Sequence, residues 1–158
     1  MIGVPLVQIV DAALAEAVRH AGPWLACRPG CAECCIGPFP ISVEDVQRLR
    51  DGLNAVEPAV AARILERARS FPVENADDVL CPALDPATLT CDLYAWRPLT
   101  CRTFGPPLHF RGEAIAVCEL CFDGATPEQI AACEVEIDAF DPPVLDMTVA
   151  SALTCPNE

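Results

Sequence analysis

The chain has 158 residues, a formal net charge of −13 and 11 cysteines, enough for one domain with a modest core. Acidic residues outnumber basic ones by 23 to 10. We therefore expect neither a nucleic-acid-binding surface nor attachment to anionic membranes, because both depend on lysine and arginine. The acidity keeps a protein soluble, or it offers an acidic face to a basic protein partner.

The first predicted element is an amphipathic helix over residues 5–20, where apolar side chains recur at helical spacing. Pro5 suits its first turn and Gly22-Pro23 its end. The helix packs on the core or forms a dimer interface. Its acidic residues and lack of a basic start argue against a signal peptide, and no run reaches the ~18 apolar residues of a membrane helix. We expect a cytoplasmic protein with reduced thiols.

Two helices are predicted between the first cysteines and the middle of the chain. Ser42-Val43-Glu44-Asp45 is a capping-box pattern that begins a short helix, and Gly52 fits its end. Pro58 begins a second helix that should end near Phe71-Pro72. The sixteen prolines of the chain disfavour longer elements in this region.

Short strands are predicted between residues 79 and 117, where prolines and turn residues are frequent. Residues 80–82 and 88–91 flank a turn at Asp85-Pro86, which indicates a hairpin with a cysteine on each arm. Residues 108–117 form a second hairpin around Arg111-Gly112 and lead into a CxxC pair. Hairpins of this kind present thiolates in small metal-binding modules.

The last predicted helix begins at Thr126, because a capping threonine is followed by proline and by Gln129 three residues on. We expect this helix to run to about Phe140 and to open a helical extension over residues 126–158. The whole chain, residues 1–158, is expected to be a single domain.

Nine of the 11 cysteines lie between residues 27 and 121, with spacings typical of metal ligation. Thiolates are ligands of zinc and of iron–sulfur clusters, and close cysteine pairs let one turn of backbone deliver two sulfurs to one ion. An odd number of cysteines also excludes complete intramolecular pairing in disulfides. The candidate metal ligands are Cys27, Cys31, Cys34, Cys35, Cys81, Cys91, Cys101, Cys118 and Cys121.

These cysteines lie in motifs that resemble a known family. The motifs are Cys27-x3-Cys31-x2-Cys34-Cys35, Cys81-Pro82-Ala83-Leu84 and the run CDLYAWRPLTCRTF from Cys91 to Phe104. They are similar to the YkgJ-type cysteine-cluster family, also described as a zinc- or iron-chelating CxxCxxCC domain. The resemblance covers about residues 27–121. It departs from the family pattern in the first spacing, three residues instead of two, and in Ala32, where a glycine is usual.

The resemblance implies metal binding and no defined reaction. Some relatives are associated with flagellin lysine N-methylation, for which an iron–sulfur cluster has been proposed. This chain has no glycine-rich motif for a methyl donor, and no Ser-His-Asp set, phosphate loop or dinucleotide fingerprint. We expect no catalytic residues.

The cysteines allow more than one arrangement. Cys34 and Cys35 are adjacent, so both can bind one ion only if the backbone turns between them. Nine candidates allow two four-thiolate sites or one site with spare cysteines, and we favour at least one site that combines the first cluster with the central segment. Cys133 and Cys155 are interpreted as a buried small residue and an incidental thiol.

Other residues near the cysteines are candidates for supporting roles. Three arginines could donate to the sulfurs or form ordinary ion pairs: Arg28, which follows Cys27, and Arg97 and Arg102, which flank Cys101. Three aromatic residues are expected to shield the site from water: Tyr94, Trp96 and Phe104. His109 is interpreted as structural.

Together these features predict an α+β fold: a small, irregular, metal-stapled domain with short β-hairpins in the cysteine-rich middle and flanking α-helices. The leading hypothesis is a metal-binding protein that chelates zinc or an iron or iron–sulfur centre and stores it, delivers it or uses it to stabilise a surface for a protein partner. The alternatives are a redox or methyl-transfer enzyme component with an iron–sulfur cluster, and a copper-binding protein. Ligand type alone does not separate zinc from iron.

Overall fold

The computed structural model describes residues 5–114, 117–137 and 145–155. The helices are α1 (Leu6–Ala21), α2 (Val43–Ala55), α3 (Pro58–Arg69), α4 (Leu99–Thr103), α5 (Pro127–Ala131) and α6 (Val149–Thr154). The strands are β1 (Pro40–Ser42), β2 (Leu84–Asp85), β3 (Thr90–Cys91), β4 (Leu108–Phe110), β5 (Glu113–Ala114), β6 (Val135–Ile137) and β7 (Leu145–Thr148). The mixed α+β class is confirmed. No helix within the described ranges has the length and apolar character needed to span a membrane.

The chain divides into two compact units. Unit 1 consists of Met1–Arg28 and Leu99–Pro142, and unit 2 of Pro29–Pro98 and Pro143–Glu158. Each unit has a hydrophobic core of its own. The single domain expected over residues 1–158 stays a prediction.

Unit 1 is built on α1, whose first and last residues each lie one position from those of the predicted helix. The helix ends before Gly22, where φ is 49°. Its small and β-branched face, Val10, Ala13 and Ala17, is buried against β4 and β6. Strand β4 pairs antiparallel with β5 and parallel with β6. The second predicted hairpin is therefore confirmed in its described part, while residues 115 and 116 lie outside the described ranges.

Unit 2 packs α2, α3 and α6 on the antiparallel pair β1–β7. The predicted capping box begins α2, where the buried Asp45 carboxylate accepts hydrogen bonds from the Ser42 amide (3.2 Å) and hydroxyl (3.0 Å). The prediction that Gly52 ends this helix is wrong. Gly52 lies inside α2, which continues to Ala55. A Cβ on Gly52 would come within 2.9 Å of Trp96 Cβ, so the glycine leaves room for the indole.

The predicted long last helix is also wrong. Its capping box is present, but α5 has only five residues, and β6 follows instead of a continuing helix. Val135 and Ile137 are buried while Glu136 is exposed, the two-residue period of a strand. The expected helical extension over residues 126–158 therefore contains strands as well, and its predicted end at Phe140 lies outside the described residues.

The first predicted hairpin is present with a shorter first arm. Leu84 pairs with Cys91 across the β2–β3 ladder, so Cys91 lies on an arm as predicted. Cys81 lies in the turn before β2, where its carbonyl accepts the Leu84 amide at 2.9 Å. Its neighbour Leu80 pairs instead with Ile36, next to the first cysteine cluster.

Candidate metal centre

None of the 11 cysteines, all within the described ranges, is joined in a disulfide. Five of the nine candidate ligands belong to unit 2: Cys31, Cys34, Cys35, Cys81 and Cys91. The other four belong to unit 1: Cys27, Cys101, Cys118 and Cys121. Each set is described by itself.

In unit 2 the backbone joins the first cysteine cluster to the central segment. The Cys81 amide donates to the Cys35 carbonyl at 2.7 Å, and the Gly37 amide donates to the Val79 carbonyl at 2.8 Å. These bonds flank the bridge between Ile36 and Leu80. Cys35 and Cys81 are therefore held next to each other although 46 positions separate them in the sequence.

The β2–β3 hairpin adds Cys91 to this neighbourhood. Besides the Leu84–Cys91 pair, the Asp92 amide donates to the Ala83 carbonyl at 2.8 Å. A charge on Cys91 raises the pKa of Cys81, and a charge on Cys34 raises the pKa of both Cys81 and Cys91. We call Cys34, Cys35, Cys81 and Cys91 the unit-2 group.

The adjacent cysteines of this group meet the condition set by the sequence. Residues Glu33–Cys35 form a turn of 3₁₀-helix, closed by a hydrogen bond from the Cys35 amide to the Ala32 carbonyl at 2.8 Å. The backbone therefore turns between Cys34 and Cys35. The two side chains are also hydrogen-bonded to each other. This bond from Cys35 is the main cause that lowers the pKa of the Cys34 thiol from 9.0 to about 6.

The other two sulfurs of the unit-2 group are held as neutral thiols in the absence of a cation. Burial raises the pKa of Cys81 from 9.0 to about 12, and burial also raises the pKa of Cys91. A bound cation would lower the pKa of both cysteines, because metal ligation requires the thiolate form and the thiol releases its proton on binding. The group therefore offers one ready thiolate beside two buried thiols.

Arg97 supplies positive charge beside these sulfurs, as one of the two predicted arginine roles requires. Its guanidinium lies 4.0 Å from the centre of the Tyr94 ring and donates to the Tyr94 carbonyl at 3.1 Å. Its charge contributes to lowering the pKa of Cys34 and opposes the rise at Cys91. Tyr94 is 64% exposed, and its ring stacks with the Arg97 guanidinium.

In unit 1 Gly105 lies next to Cys27 and Cys118, and Cys121 belongs to the same CxxC loop as Cys118. The Ala26 amide donates to Cys121 Sγ at 3.5 Å, and the Cys118 amide donates to the Gly105 carbonyl at 3.4 Å. A Cβ on Gly105 would lie 3.2 Å from Cys27 Sγ, so a larger residue would push this sulfur away by a few tenths of an ångström. Amide donors to sulfur are a normal part of thiolate metal sites. We call Cys27, Cys118 and Cys121 the unit-1 group.

The CxxC loop of this group is well ordered by its own bonds. The Cys121 amide donates to the Cys118 carbonyl at 2.9 Å, and a side-chain hydrogen bond links the two thiols. The Phe122 amide donates to the Trp24 carbonyl at 2.8 Å, which fixes the loop to the segment before Cys27. Gly105 was not predicted from the sequence; the turn-forming pair Gly105-Pro106 after the central motif was the signal available.

The two remaining candidates are half-buried. Cys31 lies three residues before Cys34 in unit 2, and Cys101 lies four residues before Gly105 in unit 1. Their place in a group rests on this proximity in the chain.

The supporting residues divide between the predicted alternatives. Arg102 forms an ion pair with Asp11 at 2.7 Å, and Arg28 donates to the Ala26 carbonyl at 3.3 Å. His109 lies 3.4 Å from a Glu134 carboxylate oxygen. Cys133 is buried and its thiol donates to the His20 carbonyl at 3.3 Å, in line with a structural role.

The donors fit zinc or iron by their chemistry and their grouping, and a bound ion would require the thiols to turn towards it. Within the described residues, no three Cys, His, Asp or Glu side chains already converge as a ready-made site. Rotation about the Cα–Cβ bond moves a cysteine sulfur without moving its backbone. The backbone contacts above therefore position the groups, and the ion would set the final directions of the sulfurs.

Comparison with known proteins gives one family. The model of the CxxCxxCC family, described as a putative zinc- or iron-chelating domain, matches residues 26–121. No curated protein and no solved structure matches the chain.

Proposed function

The chain belongs to the CxxCxxCC family of zinc- or iron-chelating domains, and from this membership we propose that its clustered thiolates bind zinc or iron, with the unit-2 group as the principal centre. Metal binding in general follows from the family. The metal, its ligands and its use are the content of the proposal.

One observation carries the choice of the unit-2 group: its backbone joins the first cysteine cluster to the central segment of the family motif. The hydrogen bond between the Cys81 amide and the Cys35 carbonyl joins segments that the sequence keeps far apart. A cation bound there would cross-link the first cluster to the β2–β3 hairpin and stabilise unit 2. Four thiolates match the ligand number of a closed zinc site and of an iron–sulfur cluster.

The electrostatics support the same choice. Four thiolates around a divalent ion carry a net charge of −2, which a nearby guanidinium offsets. Arg97 acts on Cys34 and Cys91 in this way. The thiolate of Cys34 at neutral pH gives an incoming cation its first ligand.

The unit-1 group is proposed as a second, weaker centre. It offers three thiols, and Cys101 in the same unit is a candidate for the fourth. The hydrogen bond from the Ala26 amide to Cys121 Sγ supports this assignment. Two separate centres would account for eight of the nine clustered cysteines.

We propose a cytoplasmic setting, because cysteines that serve as metal ligands stay reduced in that compartment. The role would be to hold, store or deliver the metal, or to stabilise a surface for a protein partner. The competing function is a redox or methyl-transfer component, which requires an iron–sulfur cluster that changes oxidation state.

Elemental analysis of protein purified without oxygen, with its visible spectrum, tests the proposal. The expected result is at least one equivalent of zinc or iron per chain, retained in the Cys155→Ser variant and reduced in Cys91→Ser. A colourless protein with zinc excludes the cluster, while a brown protein with iron and acid-labile sulfide excludes structural zinc. Protein that carries neither metal and takes up neither zinc nor iron(II) on reconstitution overturns the proposal.

A further inference from the structure

Arg67 lies outside the cysteine motifs, on the last turn of α3, and it contacts both segments that carry the central cysteines of unit 2. Its Nε donates to the Pro82 carbonyl at 2.8 Å, and its Nη2 donates to Asp92 Oδ2 at 2.8 Å. Pro82 directly follows Cys81, and Asp92 directly follows Cys91. One guanidinium therefore bridges the residues next to two candidate ligands.

From these contacts we infer that Arg67 is a positioning residue for the metal centre, fixing the separation of Cys81 and Cys91 through Pro82 and Asp92. The inference rests on the proposed function, since it concerns the same site. It assigns a role at the metal centre to a residue of α3, a helix that lies outside the cysteine motifs.

The geometry explains why an arginine is needed here. The Nε and Nη2 hydrogens lie on one edge of a planar group, so they fix the directions of two acceptors at once. A lysine ammonium keeps the charge and lacks this planar fork. The bridge is also largely shielded from water, because the Arg67 and Asp92 side chains are 23% and 16% exposed.

The test measures zinc affinity by competition with a chromophoric chelator, together with the spectrum of the cobalt(II)-substituted protein. Contacts to residues around metal ligands typically change affinity about 10- to 100-fold. We expect Arg67→Ala to weaken the first zinc equivalent by about that factor and to shift the cobalt(II) bands. Arg67→Lys should give a smaller loss of affinity and a shift in the same direction. Arg63→Ala, an exposed position one turn earlier on α3, should stay within about threefold of the wild type.

The spectrum separates positioning from general stability. A purely structural residue would lower the free energy of unfolding of the metal-free protein and leave the affinity of the folded protein and the cobalt(II) bands unchanged. That result, or wild-type affinity in both Arg67 variants, overturns the inference. If Arg67→Ala does not fold, Arg67→Lys decides the question by the same two readouts. Failure of the wild-type protein to bind zinc and cobalt(II) would instead overturn the proposed function.

Discussion

In unit 2 the candidate cysteines lie on segments that are joined by backbone hydrogen bonds, beside the Arg97 guanidinium. In unit 1 the candidate cysteines lie next to Gly105 and in the CxxC loop. The unit-2 group includes a thiol whose pKa is lowered to about 6, mainly by its cysteine neighbour and further by Arg97. In the unit-1 group, desolvation raises the pKa of Cys118. The donor atoms are the same in both units, so the difference shows that the surroundings decide which thiols are ready to bind a cation.

The two groups also differ in what holds them. The unit-2 group is joined by strand pairing, including the β2–β3 hairpin. Leu84 of this hairpin and Cys81 in the turn before it belong to the hydrophobic core. The unit-1 group is held by the close approach of Gly105 to Cys27, by the amide–sulfur bond from Ala26 and by the hydrogen bonds of the CxxC loop. We therefore expect metal to bind more tightly in unit 2, and single substitutions to be more disruptive to the geometry in unit 1.

Metal removal should have the largest effect. Because binding energy at a site built from distant segments is folding energy, a chelator should accelerate amide hydrogen exchange in Leu84–Cys91 by about 100-fold or more. The experiment uses the Cys121→Ser variant, which lacks a complete unit-1 group, so that helix α1, whose buried face packs on an apolar core, should change by less than about threefold and serve as the internal control. Equal acceleration in both segments would show that the metal does not act locally on the unit-2 group.

Gly105→Ala should have the next largest effect, because it acts on the unit-1 group in two ways. The added Cβ would meet Cys27 Sγ at 3.2 Å, and the φ of +118° is unfavourable for alanine. We expect a loss of about 2–4 kcal/mol in the free energy of unfolding and loss of metal from unit 1. Chemical denaturation and metal analysis measure the two effects.

Gly112→Ala is the matched control for this substitution. Gly112 is also in unit 1 and has a φ of +79°, but a Cβ there meets nothing within 4 Å. It should carry only the backbone strain, about 1 kcal/mol, and keep its metal. Metal loss in both variants would contradict the assigned role of the contact between Gly105 and Cys27.

Alkylation of the metal-free protein should distinguish Cys34 by its pH dependence. Only the thiolate reacts, so modification of Cys34 by iodoacetamide, followed by mass spectrometry of peptides, should reach half its maximal rate near pH 6. Because the folded pKa lies below 9.0, the interaction stabilises the fold fully above that pH, and its contribution is lost as the pH falls through about 6. In Cys35→Ala the midpoint should move up towards 9.0. A midpoint unchanged by Cys35→Ala would refute the hydrogen bond as the main cause.

Arg97→Gln should give the smallest effect. An exposed cation–π contact contributes about 0.5–1 kcal/mol, so the free energy of unfolding should fall by no more than that. The same change should raise the pKa of Cys34, because the Arg97 charge helps to lower it. Alkylation midpoints of Arg97→Gln and of Tyr94→Leu, which keeps the charge, would separate charge from stacking. A larger shift in Tyr94→Leu than in Arg97→Gln would contradict the role given to Arg97.

Local signals in the sequence predicted much of the fold. Proline at the start of α1 and α3 and the capping boxes of α2 and α5 marked helix starts correctly, because these signals act within one turn. Helix ends depend on tertiary packing. Gly52 reads as a stop, yet it is a packing position for Trp96, and the segment after α5 becomes a strand because β4 offers it a partner.

The candidate site divides in the same way. The nine cysteines and the position of Arg97 near sulfur are readable from motif and spacing. The division into two groups is not, because it depends on pairing between Ile36 and Leu80 and on the approach of Gly105 to Cys27. The contacts of Arg67 arise only when α3 packs beside the hairpin, so nothing near Arg67 in the sequence indicates them.

The order in which the two groups fill is the most direct test of the proposed centre. Metal-free protein would be titrated with one equivalent of zinc in the presence of a competing chelator, and the bound metal counted by native mass spectrometry. We predict that Cys121→Ser retains the first zinc with wild-type affinity, while Cys91→Ser loses about 100-fold or more. Wild-type affinity for the first zinc in Cys91→Ser would contradict the assignment of the principal centre to the unit-2 group.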